Sequence, residues 1–196
     1  MARLFAEADP TTWVPVTESF GFRGRRHRKA ALRMLMAQMT GAMGAEAPRG
    51  GRFATWAMSQ AAPALMRKAA GRVLVWVHKG DPELVVVMAT IQQATPQLRT
   101  ARAMRPMEYD DSVNFGHPTL GVGEKLVMDA PGNGQPPFVQ YSWDRGTDFI
   151  EVTAIAGDPN RFPTTFGDLD ALAREIRVID DMTVTEGSPT LRIDPA

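Results

Sequence analysis

The stretch Phe138 to Asp158, FVQYSWDRGTDFIEVTAIAGD, decides the fold, because it reads as two strands joined by a tight turn at Arg145-Gly146. Folding it across that turn sets Tyr141 opposite Ile150 and Val139 opposite Val152 on one face, with Gln140 opposite Glu151 and Ser142 opposite Phe149 on the other. One register therefore sorts apolar from mostly polar side chains, and a slip of a single residue would scramble both faces.

Working outward, the segment that follows bends at Pro159-Asn160-Arg161-Phe162-Pro163 and then turns helical. Thr165 stands three residues before Asp168, which resembles a capping box with Asp in place of Glu or Gln. Leu169, Leu172, Ala173 and Ile176 share one side of the expected helix, with Asp168 and Asp170 early and Arg174 and Arg177 late, as the helix dipole favours. This helix should cover the apolar face of the hairpin.

Upstream, RVLVWVHK and LVVVMATIQQ flank Gly80-Asp81-Pro82-Glu83, which gives a second pair of β-rich runs around a turn. Val73, Val75 and Val77 alternate with Leu74 and Trp76, so neither face is polar and both need cover. His78 closes the first run and reads as a polar strand end. Thr95 to Met104 suits a short helix with Arg99, Arg102 and Arg105 pointing outward, and EKLVMDA reads as a further strand. Asp9-Pro10 through Val16 suits an extended lead-in anchored by Trp13 and Val14.

The N-terminal third has a different texture. In FRGRRHRK, Arg23, Arg25, Arg26, Arg28 and Lys29 crowd together just before an apolar stripe of Leu32, Leu35, Met36, Met39 and Met43 at helical spacing. Cations at a helix start are opposed by the dipole, so the cluster invites an anion, whether from a partner or from acidic residues of the same chain. The methionines around Met36 and Met39 suit either a core stripe or an adaptable contact surface. Residues from Pro48 onward, PRGGR, break the pattern, and Pro63 interrupts the next helical run.

Composition sets the outer bounds. The 196 residues and 44% hydrophobic content suffice for one cored domain, and the absence of cysteine removes disulfides, thiolate catalysis and sulfur-ligated metal. No apolar run approaches a membrane span, so the expectation is a cytoplasmic chain. The formal charge of zero hides an asymmetry: residues 1–107 carry 16 Lys and Arg against 6 Asp and Glu, and residues 108–196 carry 6 against 16. Either the basic half seeks nucleic acid, anionic membrane or an acidic protein, or the two halves neutralise each other within the fold or in a homodimer.

Candidate chemistry is sparse. Glu108, Asp110, Asp111 and His117 gather carboxylates and an imidazole in one expected loop, where a hard-metal or acid-base site would begin. Their spacing matches no known metal loop, so no metal and no cofactor is expected. GVGEK at Gly121 to Lys125 lacks both phosphate-loop frames and reads as turn glycines before a strand. No GxSxG elbow occurs.

The order of elements from about Gly71 to Ile179, with the YSWDRGTDFIEVTAIAGDPNRF hairpin and bend and the closing DLDALAREIRVI helix, resembles the PsbP-like α/β/α sandwich. That group includes photosystem extrinsic proteins, Ran-binding Mog proteins, DcrB-like proteins and actinobacterial LpqN-like lipoproteins. This sequence departs from the lipoproteins in showing no signal peptide or lipobox cysteine, and from the group in its arginine-led N-terminal third. The resemblance implies an α+β fold, a mostly antiparallel sheet covered by helices. The expected organisation is a helical segment over residues 1–70, the core over 71–181 and a tail over 182–196. It also implies a non-enzymatic accessory or adaptor role, binding another macromolecule and associated with secretion or the envelope. The expected contact residues are Arg23, Arg25, Arg26, Arg28, Lys29, Met36 and Met39. The alternatives are an anionic-surface binder using the same cations, and an enzyme using the Glu108–His117 loop.

Overall fold

In the computed structural model the described residues are 2–16, 71–103, 112–128 and 136–180. They form nine strands, two α-helices and one short 3-10 helix (Phe162–Thr165): β1 (Ala2–Ala6), β2 (Trp13–Pro15), β3 (Val73–His78), β4 (Val85–Gln93), α1 (Pro96–Ala103), β5 (Val113–His117), β6 (Gly121–Met128), β7 (Phe138–Asp144), β8 (Asp148–Ala156), α2 (Phe166–Arg174) and β9 (Ile176–Asp180). Seven strands make one sheet in the order β2-β3-β4-β8-β7-β6-β5, and β1 pairs with β9 in a small second sheet. All pairings are antiparallel. The fold is α+β, as expected for the core.

The deciding hairpin is present, in a register shifted by two residues. Tyr141 faces Val152, Trp143 faces Ile150 and Ser142 faces Glu151. The turn is centred one residue later, on Gly146-Thr147, because the Asp144 carboxylate accepts the Gly146 N–H at 2.7 Å and the Arg145 N–H donates to the Asp148 carbonyl at 3.0 Å. Gly146 takes φ +84°, the left-handed conformation such a turn demands. An even shift preserves side-chain parity, so Val139, Tyr141 and Trp143 still share the buried face with Ile150 and Val152.

Helix α2 covers that face. Leu169, Leu172 and Ala173 are buried with Tyr141, Trp143, Trp76 and Val85 in the main core. At the start of α2, Thr165 makes no capping bond and its hydroxyl donates instead to the Phe162 carbonyl at 2.7 Å, so the capping-box expectation fails. The helix also stops earlier than expected. Glu175 caps it, and Ile176-Arg177-Val178-Ile179 alternates inward and outward as a strand against β1. The β-branched pair Ile176 and Val178 at period two, facing β1, outweighs continuation of the helical spacing there.

The β3–β4 hairpin is two-faced, as its composition requires. Trp76, Val85 and Val87 join the main core, whereas Val16, Val75, Val77 and Val86 form a second buried cluster on the opposite face. The helical segment expected over residues 1–70 is not supported. Only residues 2–16 of it are described, and they carry β1 and β2, held in part by Leu4 donating to the Gly71 carbonyl at 2.8 Å. Of the expected tail, nothing after Asp180 is among the described residues. His78 behaves as a strand-end group, its Nδ1 accepting the Asp81 N–H at 3.2 Å across the turn.

Candidate functional site

The two faces of the β5–β8 end of the sheet differ in kind. On the inner face, pairing places Lys125 beside Tyr141 and Tyr141 beside Val152. Asp170, one turn into α2, accepts from both: the Tyr141 hydroxyl and the Lys125 ammonium each lie 2.6 Å from its Oδ1. Burial, reinforced by the Asp170 carboxylate, lifts the Tyr141 phenol far above its ordinary range, so it stays protonated as a donor. The Phe115 and Tyr141 rings meet edge-on at 4.8 Å, and the Arg174 guanidinium lies 4.7 Å from the Phe115 ring centroid.

His117 closes β5 on the same inner face rather than lying in a loop. Strand alternation turns Phe115 and His117 inward together. Its Nδ1 accepts the N–H groups of Thr119 and Leu120 at 3.1 and 3.0 Å, and its ring stands edge-on to Trp143 at 5.4 Å. Nε2 faces the main chain of Ile176 and Ala173 without forming a hydrogen bond of ordinary geometry. Burial holds the imidazole below its ordinary pKa, against the opposing pull of those carbonyls. A neutral imidazole that accepts two backbone donors is built to hold the β5–β6 turn.

Gly123 explains the spacing of this layer. A Cβ there would stand 2.5 Å from the Trp143 indole and 2.5 Å from the Ser142 carbonyl, so only glycine lets the indole lie on β6. The GVGEK glycines thus serve two purposes: Gly121 takes φ +84° to open β6, and Gly123 clears room for Trp143.

On the outer face, among the described residues, only α1 stands over the sheet. Asn114, Glu124, Ser142 and Glu151 form one polar row across β5, β6, β7 and β8, and Asp144 and Phe149 pair in the next row along the hairpin. Helix α1 stands at one side. Arg99 bonds the Asp144 carboxylate at 3.2 Å and the Gly146 carbonyl, Arg102 lies 3.6 Å from Glu151, and both guanidiniums lie over the Phe149 ring at 5.4 and 4.5 Å. These arginines are therefore committed to the hairpin rather than simply outward. They also join the basic half of the chain to the acidic half, which favours local neutralisation at this point. Between α1 and β6 the surface encloses about 520 Å³, floored by Gly123 and Ser142, with Val122 at its rim. Val122 is 75% exposed and Val113 58%, the two most exposed large apolar side chains among the described residues.

Arg23, Arg25, Arg26, Arg28, Lys29, Met36 and Met39 lie outside the described residues, as do Glu108, Asp110 and Asp111. Among the described residues no three His, Asp or Glu side chains gather as a metal site, and no helix is long and apolar enough to cross a membrane. The Val122 rim and the Gly116 position beside it escaped sequence reasoning. The signal was GVG itself, in which an apolar residue stands between glycines on the face away from the core. No family model, curated protein or solved structure matches the chain.

Proposed function

We propose that this chain is a non-enzymatic accessory or adaptor protein that binds another protein across the outer face of the sheet between α1 and β6. The observation that carries the reading is the open groove of about 520 Å³ whose rim holds Val122 at 75% exposure and whose base is the polar row through Ser142. Exposed apolar side chains bordered by polar groups, as Val122 is by Asn114, Glu124 and Ser142, are a feature of protein contact surfaces. The titratable groups of the opposite face support the same reading: Tyr141, Lys125 and Asp170 bond to one another, and His117 bonds to main chain beneath α2.

The PsbP-like architecture is part of this proposal. It is supported by the element order of hairpin, short helix, two further hairpins, Asp-Pro bend and covering helix. A fold of that kind bears on scaffold more than on chemistry.

The test is site-specific photo-crosslinking in the native host, with a benzophenone side chain at Val122 and a control at exposed Asn160. A discrete protein adduct at position 122 and none at 160 supports the reading. Equal labelling at both, or adducts with nucleic acid or lipid alone, overturns it.

A further inference from the structure

β5 is the last strand of the seven-stranded sheet, and among the described residues it pairs only with β6. Its sequence, VNFGH, holds no charged residue and no proline. Edge strands of isolated domains are usually blunted by lysine, proline or a bulge, because an unpaired row of N–H and C=O groups recruits other strands. Here no described strand covers that row, and Val113, Asn114 and Gly116 are all exposed.

The two faces beside this edge ask for different side chains. On the outer face stands Gly116, with nothing within 4 Å of the place its Cβ would occupy, and its β6 partner is Val122. A side chain arriving opposite Gly116 would fill that notch against Val122, so it should be apolar. On the inner face the Arg174 guanidinium lies 4.7 Å from the Phe115 ring centroid, and Arg174 makes no ion pair among the described residues. A side chain arriving beside Phe115 meets that cation, so it should be a carboxylate. Successive residues of a strand point to opposite faces, which converts these two demands into one pattern.

The geometry points to β5 as an acceptor for an extended partner segment in which acidic and apolar residues alternate, added as an eighth strand beside β5. Main-chain hydrogen bonds supply affinity, while the Gly116 notch and Arg174 supply register and choice of sequence. This inference rests on the binding role proposed above and names the chemistry of the partner.

The experiment is a fluorescence-polarisation titration of the full chain against a capped, labelled nonapeptide of alternating Glu and Val. A block peptide of the same composition serves as control, and folding of each variant is checked by its thermal melt. The expected result is saturable binding of the alternating peptide and weaker binding of the block peptide. Arg174→Glu should weaken binding roughly tenfold through lost attraction and new repulsion, and Gly116→Val should do the same by filling the notch. Equal binding by wild type, Arg174→Glu and Gly116→Val overturns the inference. So does the absence of peptide binding while Val122 still crosslinks a protein, which leaves the adaptor reading standing without the strand. Self-association of the chain through β5, seen as a doubled mass in sedimentation and abolished by Gly116→Val, also overturns it. Failure of both the crosslink and the peptide removes the adaptor reading as well.

Discussion

Asp170 hydrogen-bonds α2 to both β6 and β7 on the inner face, and its replacement by alanine gives the sharpest test of how that face is held. Its Oδ1 accepts the Tyr141 hydroxyl and the Lys125 ammonium, each at 2.6 Å. Tyr141 is 1% exposed, and the side chains of Lys125 and Asp170 are 13% and 27% exposed. Removing the carboxylate strands a buried phenol donor and a mostly buried ammonium together. A hydrogen bond to a charged group contributes about 1.5 to 3 kcal/mol, and leaving the partner unsatisfied adds to the loss. Water reaching the 27% exposed position offsets part of this, so Asp170→Ala should cost about 2 to 4 kcal/mol. Tyr141→Phe, which deletes one bond without stranding a charge, should cost about 1 to 2 kcal/mol. The two changes share one contact, so the double variant should cost less than their sum by about 1 kcal/mol or more. Asp170→Asn separates the contributions, since it keeps an acceptor for Tyr141 and loses the attraction for Lys125. Urea unfolding followed by the fluorescence of buried Trp76 and Trp143 gives the numbers directly. An Asp170→Ala cost below about 0.5 kcal/mol with no coupling to Tyr141 would refute the claim that this trio clamps the helix to the sheet.

Three further outcomes follow from the same geometry. Gly123→Ala should destabilise by about 3 kcal/mol, because its Cβ meets the Trp143 indole and the Ser142 carbonyl, and the loss should be smaller in a Trp143→Leu background where the indole is gone. Gly146→Ala should cost about 1 kcal/mol from the left-handed φ alone, with Gly146→Asn costing less, as calorimetric melting points will show. His117 has a folded pKa below its unfolded value near 6.5, so its contribution is fully present above pH 6.5 and declines as pH falls through that value toward the folded pKa. The urea midpoint should therefore drop between pH 7.5 and pH 5.5, and His117→Asn, which keeps an acceptor and removes the titration, should flatten that change.

Much of the scaffold was legible in the residues. Alternation in FVQYSWD and DFIEVTAIA identified the buried face of the hairpin, and the two-sided apolar character of RVLVWVHK and LVVVMATIQQ anticipated the two core clusters flanking β3 and β4. The register was missed by two because the Asp144 side chain bonds the Gly146 N–H and moves the turn one residue along, an effect that alternation cannot register. The end of α2 was missed because Ile176 satisfies both a helical stripe and a strand, and only pairing with β1 decides between them. At the site, His117 was singled out beside acidic residues, yet its chemistry is that of a turn acceptor, since strand parity turns it under α2. The open groove left a fainter mark. Arg99 and Arg102 looked like solvent-facing charges until Phe149, Asp144 and Glu151 were brought beneath them from some 45 residues away or more.

Hydrogen–deuterium exchange of the chain with and without the protein captured at Val122 tests the binding surface most directly. Slower exchange confined to β5, β6 and α1, with β1 and β9 unchanged, is the outcome expected. Protection confined to β1, β9 or the Arg23–Lys29 segment, with β5 and α1 exchanging as in the free chain, would contradict it.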